Sequence, residues 1–379
     1  MNSNSLKNEL FSNCFAEIID PRINRKKLYP LEEILFVIIC GTICGASSWR
    51  DFVIFGKEKL NYLRNFFEYK SGIPSKNTFY RVMSVLNPEQ LKKSLLVWLK
   101  CLQKALSGVV AIDGKAIRKS FDKAMGQDAI HIVSAFSANL QLTLGQEKVS
   151  EKSNEITAIP KLLDLLDLSG TTVTIDAMGC QKEIAKKIRE SEADYILALK
   201  GNHSNLHEDV KLFMETESKK TENKINETLE EADKGHGRIE IRKCYVSDKI
   251  DWLNGRKDWT DIKTLVMIES IREIKDEISV ERRFYISSLP ANAKLISKAI
   301  REHWSVENKL HWVLDVTFRE DDSRVRKDNS PENMSLIRRW TLNMLKTAQN
   351  KIKGISISAL RKKAGWGNNT LSLVLQGKF

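Results

Sequence analysis

Three acidic residues stand out by their settings: Asp113 in Val-Val-Ala-Ile-Asp-Gly-Lys, Asp176 in Thr-Val-Thr-Ile-Asp-Ala-Met-Gly, and Glu307 in His-Trp-Ser-Val-Glu-Asn-Lys-Leu-His-Trp. The first two end apolar, strand-like runs and precede small residues that let a phosphate approach; the third lies on a helical stretch. Neighbouring carboxylates repel one another, so a fold that converges three of them gains most by binding metal ions. Magnesium takes oxygen ligands, few of them from protein, with water and phosphate filling the rest. A pair of such ions roughly 3.5–4 Å apart suits an in-line displacement at a phosphodiester, with water or a DNA 3′-hydroxyl as nucleophile.

Each acid also has a plainer use. Asp113 before glycine could open a turn, Asp176 could cap the following helix, and a lone glutamate on a helix is ordinarily solvated. The surroundings of Glu307 favour chemistry: His303, Glu307 and His311 fall at i, i+4 and i+8, flanked by Trp304 and Trp312. Polar and aromatic residues on one stripe suit a cleft that holds DNA. A zinc or iron site from His303, Glu307 and His311 is the rival, but the stripe lacks the His-Glu-x-x-His order and leaves both strand aspartates unexplained.

These residues must be positioned by regular elements, and the apolar periodicity shows which. Residues 1–107 read as helical throughout, and the run Ile73-Pro-Ser-Lys-Asn-Thr-Phe-Tyr-Arg-Val-Met predicts a helix capped at Ser75. Its inward face would be Phe79, Val82, Met83 and Leu86, with Lys76 and Arg81 outward, as in a recognition helix or a further bundle helix. From Val109 the period drops to two: strands are predicted at 109–113, 130–138, 140–147, 171–176 and 194–200, with helices at 156–166, 181–190 and 205–214. Residues 216–292 break that rhythm with strand-like runs at 239–246, 262–268 and 283–288. Helical spacing resumes at Ala293 and carries on past Glu307. The expected class is α/β, a mixed sheet with helices packed on it. The modules are 1–107 (helical, DNA-associated), 108–215 (first part of the core), 216–292 (β-rich insertion), 293–350 (the helical part carrying Glu307) and 351–379 (a basic C-terminal segment).

A chain of 379 residues exceeds what one growing core supports, and its 42% apolar content suffices for several. The formal charge of +12 is unevenly placed: residues 1–108 carry 16 Lys/Arg against 9 Asp/Glu, residues 336–379 carry 9 against none, and the middle 36 against 40. Basic ends around an acidic middle suit a polyanion gripped on either side of a cation-binding core. The six cysteines are scattered without zinc-finger spacing, which points to a reduced cytoplasmic setting. The longest apolar run, Ile34–Ala46, is too short for a spanning helix, and the N-terminus lacks the layout of a secretion signal.

Ala-Ile-Asp113-Gly-Lys-Ala-Ile-Arg, Lys152-Ser-Asn-Glu-Ile-Thr-Ala-Ile-Pro, Thr-Ile-Asp176-Ala-Met-Gly-Cys-Gln, Leu-Lys200-Gly-Asn and Ile-Arg-Glu-His303-Trp-Ser-Val-Glu307-Asn-Lys-Leu-His-Trp-Val-Leu-Asp occur in this order. From about Asp20 to the C-terminus the sequence resembles the insertion-sequence DDE transposases that include the H-repeat-associated proteins. The resemblance implies an RNase H-like mixed-sheet catalytic core, a β-rich insertion after its fifth strand, and an all-helical N-terminal domain associated with DNA binding. It also implies Mg2+ (or Mn2+) as cofactor, two ions, and assembly with double-stranded transposon ends and target DNA, with a homodimer in the complex. By position, Asp113, Asp176 and Glu307 match the family's catalytic and metal-binding triad. Related transposases carry tyrosine seven residues before the glutamate, arginine four before it and lysine seven after it. Here those positions are Ile300, His303 and Leu314. These departures leave open how the flanking phosphate is clamped and whether excision takes a hairpin or a non-hairpin route; Lys309, Arg324 and Arg326 are the nearby substitutes.

The remaining candidate DNA contacts are Lys115 and Arg118 after the first aspartate, Lys200 and Asn202 at a strand end, and His303 on the stripe. Glu155 is expected at a helix cap provided by Ser153 or Asn154. Asp321 and Asp322 are decoys for the third acid, with Arg319 and Arg324 as partners. The functional expectation is a cytoplasmic, bacterial-type enzyme that cuts at element ends and joins the freed 3′-hydroxyls to target DNA. Its alternatives are a metal-dependent nuclease of the same fold and a DNA-binding descendant without catalysis.

Overall fold

Pro30 followed by Leu-Glu-Glu-Ile-Leu-Phe-Val-Ile-Ile-Cys starts a helix that is apolar on every side, and α1 (Leu31–Ile43) accordingly buries twelve of its thirteen residues. A computed structural model describes residues 10–376 except 103–105, 123–125, 151–152, 223, 236–237 and 275–276. Lys152, Lys378 and the first nine residues thus lie outside the described residues.

Around α1 stand α2 (Trp49–Glu58), α3 (Lys76–Val85) and α4 (Pro88–Cys101). A reciprocal Ser48–Asp51 capping box opens α2, and Asn87 with Pro88 opens α4. In α3, Phe79, Val82 and Met83 are buried while Lys76 and Arg81 are exposed, as the spacing predicts. Ser75 holds the N-cap position, yet its hydroxyl lies 3.3 Å from the Thr78 hydroxyl and makes no backbone cap bond.

The strands are β1 (Gly108–Ala116), β2 (His131–Ser137), β3 (Leu142–Lys148), β4 (Thr171–Ile175) and β5 (Asp194–Leu199). They continue as β6 (Glu227–Gly235), β7 (Arg238–Ser247), β8 (Thr264–Ile274) and β9 (Glu277–Ser287). All nine form one sheet in the order β3-β2-β1-β4-β5-β9-β8-β7-β6. β1, β4 and β5 are parallel and every other neighbour is antiparallel. The first five strands have the order and directions of an RNase H-like core. The β-rich segment extends that same sheet, because β9 pairs with β5 through Ile196–Ser287 to Leu199–Phe284.

Periodicity misses β6, whose Glu-Thr-Leu-Glu-Glu-Ala-Asp-Lys-Gly is poor in strand formers. Its acids are used by the helix above it, α8 (Ala293–His303). The Glu227 carboxylate accepts from the Ala293 amide at 2.7 Å, and Arg301 reaches Asp233 at 3.4 Å. A charged edge strand of this kind also discourages pairing with another sheet.

Helices cover both faces. On one, α5 (Glu155–Asp164), α6 (Lys182–Glu190) and α7 (Ser204–Glu217) accompany a core that includes Val110, Ile112, Val173, Ile175 and Leu197. On the other, α8 packs through Ile296, Ala299 and Ile300 against Val109, Ile196 and Val266. A π turn (Glu307–His311) then leads into the short helix α9 (Trp312–Val316).

The long helix α10 (Ser330–Gln349) has nineteen of its twenty residues buried. It shares a core with the N-terminal helices, in which Trp340 and Trp98 are fully buried. At about 1.5–3 kcal/mol per large apolar side chain, this is a substantial anchor between the helical region and the sheet. Asn343 adds backbone specificity, its side chain bonding both the amide and the carbonyl of Thr143 at 2.9 and 2.8 Å. The chain closes with α11 (Ile357–Trp366) and α12 (Asn368–Gln376).

Four of the nine cations in the basic C-terminal stretch are internal, while Lys351, Lys353, Lys362 and Lys363 are exposed. Arg338 and Arg339 are buried against Glu320, Lys346 is buried beneath the Lys309 carbonyl, and Arg361 donates to the carbonyls of Thr42, Ile43 and Thr317. These four cations hold the fold together. No helix among the described residues is long and apolar enough to cross a membrane.

Candidate active site

Ile112 pairs with Ile175 across the parallel strands β1 and β4, so the next residue on each strand, Asp113 and Asp176, comes at the same level. Adjacent strands run about 4.8 Å apart, which sets the spacing of the two backbones there. Because side chains alternate, Val110, Ile112, Val173 and Ile175 enter the core under α5 and α6. Asp113 and Thr174 take the face covered by α8. The Asp176 carboxylate is fixed by the amides of Met178 and Gly179, at 3.1 and 3.3 Å, which also caps the turn into α6.

Asp113, Thr174, Asp176, Lys200, His303 and Glu307 all line one cavity of about 340 Å³. Burial pushes the Asp113 carboxyl up to about 8, and the adjacent Glu307 charge adds to that rise. Asp176 is also raised, first by desolvation in the cleft. Glu307 behaves oppositely: a hydrogen bond from His311 lowers it.

The helix does not run evenly through this site. Glu307 starts the π turn, whose wider loop is closed by the Trp312 amide on the Glu307 carbonyl. Such turns concentrate at functional positions because they re-aim side chains. Here His311 Nδ1 comes 3.4 Å from Asp113 Oδ2 and 3.4 Å from Glu307 Oε2. The three donor atoms all lie within 4.8 Å of one another.

His303 has a different task from the one expected. Its Nδ1 lies 3.0 Å from the Thr174 hydroxyl, and burial depresses its pKa to about 4, leaving a neutral ring. It ties α8 to β4 and carries no charge toward phosphate. The equal spacing of His303, Glu307 and His311 therefore separates into an anchor and a pair that faces Asp113.

Several candidate DNA contacts are also placed as internal ties. Lys115 is buried between Asp315 and Asp321, at 2.8 and 2.7 Å. Its burial and two carboxylate partners leave it unsuited to gripping DNA. The Asn202 amide donates to the Ala177 carbonyl at 2.7 Å, and Arg326 bonds the Lys119 carbonyl while lying over Phe121. Arg118 is exposed and reaches Asp321 at 3.2 Å. Lys200, Lys309 and Arg324 are exposed, Lys200 on the cleft itself. Of the partners expected for the decoy acids, Arg319 does reach Asp322 at 3.4 Å, while Asp321 pairs with Lys115 and Arg118, and Asp322 also pairs with Lys119.

Sequence reasoning placed Glu155 at a helix cap and missed its partner near the strand ends. Asn154 provides the cap of α5, as expected, but the Glu155 carboxylate turns to His131 Nε2 at 2.7 Å. Both sit against Gly114, where an added Cβ would come within 2.0 Å of Glu155 Oε1 and 2.5 Å of His131 Nε2. Nothing local marks His131 as a partner, since it stands far from Glu155 in the sequence.

The donor set suits divalent cations. Carboxylates converge in a partly desolvated cleft where their mutual repulsion raises Asp113, a cost that a bound cation offsets.

Sequence comparison with known proteins identifies the family. The family described as "Transposase DDE domain" matches residues 104–344, and the associated "DDE_Tnp_1-associated" region matches residues 12–99. The "H repeat-associated putative transposase YhhI" of Escherichia coli (strain K12) is 40% identical over 367 residues, covering 95% of this chain and 96% of its own. The "Putative transposase YncI" of Escherichia coli O157:H7 is 41% identical over 353 residues, covering 91% of this chain and 89% of its own. A solved piggyBac transposase synaptic complex with hairpin DNA covers 99% of this chain and 81% of that chain, at a TM-score of 0.48 and 11% identity. The chain belongs to the DDE transposase family, with relatives among the H-repeat-associated proteins.

Proposed function

We propose that this protein cleaves DNA at the ends of an insertion sequence and joins the freed 3′-hydroxyls to target DNA. The observation that carries the reading is the placement of Asp113 and Asp176 on neighbouring parallel strands, with Glu307 lining the same cavity. Asp113, Asp176 and Glu307 would hold two magnesium or manganese ions, which supply Lewis acidity to the attacking and leaving oxygens. Asp113 must lose its proton on loading, and its own burial makes that the pH-sensitive step.

The remaining residues position the DNA. Lys200 lies on the cleft wall and Trp304 is half exposed at its rim, with the Arg283 guanidinium 4.8 Å above its ring. This gives a charge for a phosphate beside a flat face for a base. Arg118, Lys309 and Arg324 extend the exposed positive charge, and Lys76 and Arg81 on α3 offer a second contact for double-stranded ends. Residues 1–107 serve as the DNA-associated module, the protein acts in the bacterial cytoplasm, and two copies join in the DNA complex.

The test supplies pre-cut element ends and a target plasmid with magnesium. Joined products carry the proposal, cleavage without joining leaves a nuclease of this fold, and equal inactivity of wild type and Asp176→Asn leaves a DNA-binding protein alone.

A further inference from the structure

We propose that His311 is a direct ligand of one cation position, beside Asp113 and Glu307, and that it makes this position select manganese over magnesium. The inference rests on the metal-dependent reading above and goes beyond it by making the two positions chemically unequal.

The ring is placed for ligation. His311 has 5% of its side chain exposed, and its Nδ1 stands 3.4 Å from a carboxylate oxygen on each side. Both separations exceed the usual hydrogen-bond length of about 2.9 Å, so the bond through which His311 lowers Glu307 is a long one that a cation can replace. Donors in adjacent positions of an octahedron with bonds of about 2.1 Å stand about 3 Å apart, and the ring nitrogen is within a few tenths of an ångström of that spacing from each carboxylate, with all three donor atoms inside 4.8 Å of one another. Nε2 is buried and has no hydrogen-bond partner. The ring is thus held by packing and by what it faces through Nδ1. The π turn supplies the aim, bringing His311 and Glu307 to Asp113 together.

The donor type then decides the metal. Magnesium is bound almost wholly through oxygen and sheds water reluctantly, whereas transition metals accept imidazole readily. The Asp113–Glu307–His311 position is therefore a mixed oxygen and nitrogen site. Asp113 and Asp176, level on neighbouring strands, offer only oxygen donors, and a position they shared would suit either ion.

The test uses the metal-free full chain. Manganese is titrated and followed by electron paramagnetic resonance, with pulsed measurements reading nitrogen-14 couplings from a bound imidazole. The expected result is a nitrogen coupling in wild type that is lost in His311→Gln. Manganese affinity at the tighter position should fall about 10-fold or more in that variant, with magnesium affinity, read by competition, changed less than about threefold. Retention of the coupling in His303→Gln, His131→Gln and His207→Gln, the last at a residue that also lines the cavity, assigns it to His311 even if His311→Gln folds poorly, which a melting curve reports. Couplings from oxygen ligands alone in wild type, loss of the nitrogen signal in His303→Gln, His131→Gln or His207→Gln, or an unchanged manganese-to-magnesium ratio in a folded His311→Gln would each overturn the proposal. Failure of wild type to retain any manganese, matched by Asp113→Asn, would instead remove the metal-dependent reading.

Discussion

The Thr174 hydroxyl lies 3.0 Å from His303 Nδ1, joining the strand that ends at Asp176 to the helix that leads into Glu307. It is a direct polar tie between the two elements that must hold the acids in register. A displacement near 1 Å at a reacting centre can cost about 100-fold in rate. Thr174→Val and His303→Ala should each lower DNA cleavage by about 10- to 100-fold while DNA affinity in a mobility-shift titration stays within about twofold. A loss of affinity as large as the loss of rate would assign His303 to DNA contact.

The raised Asp113 carboxyl gives a pH dependence with a definite sign. Its ordinary value is about 3.9 and its folded value about 8, so across that window the folded state keeps a proton that the unfolded state has released. Stability of the metal-free protein should therefore fall as pH rises from about 5 to 8 and level off above it. Cation binding competes with that proton and should strengthen over the same range. Melting temperatures of wild type and Asp113→Asn, with and without manganese, check both statements. The variant should lose much of the metal-free slope and nearly all of the metal-induced gain.

Lys115, within β1, and Lys200, just past β5, should respond differently. Lys115→Ala leaves Asp315 and Asp321 without their shared buried cation and should destabilise the fold by about 3 kcal/mol in urea. Lys200→Ala removes an exposed charge from the cleft and should leave stability within about 0.5 kcal/mol. It should lower the salt dependence of DNA binding by about one counterion.

Gly114 is where space is shortest. A methyl group there meets the Glu155 carboxylate at 2.0 Å and the His131 ring at 2.5 Å, so Gly114→Ala must move that pair or the strand beside Asp113. Cleavage should fall by about 100-fold. Adding Glu155→Ala should restore part of it if the strand shift is the cause, which a comparison of the single and double variants measures.

Glu320 is fully buried with Arg339 at 2.9 Å and Arg338 at 3.7 Å. Glu320→Ala would strand two buried guanidinium groups and should cost about 3–5 kcal/mol in a denaturant titration. Replacing Glu320 and Arg339 together with leucine and methionine should recover most of the loss.

What the sequence discloses and what it hides follow from the range of the interactions involved. Asp113 and Asp176 are legible because each ends an alternating apolar run, and alternation is a local consequence of burying one strand face. Lys76, Arg81 and the inward face of α3 are legible for the same reason at helical spacing. The strand β6 is not, because its charges are satisfied by α8 and β7, partners that a local window cannot supply. Lys115 reads as a phosphate contact until Asp315 and Asp321, some two hundred residues later, fold onto it. Even spacing suggests that His303 and His311 share one task, but the π turn and the Thr174 bond give them separate ones.

The burial of α10 among the first helices has a consequence for synthesis. α1 completes its set of partners only when α10, α11 and α12 have left the ribosome, since Arg361 bonds the carbonyls of Thr42 and Ile43 from more than three hundred positions away. Until then the flank of α1 that faces α10 has no cover, and a nascent protein stopped short of Ser330 would present it to chaperones or proteases. Frameshifted or prematurely terminated copies should therefore be cleared as unfolded polypeptide, leaving no stable half-molecule to compete for DNA.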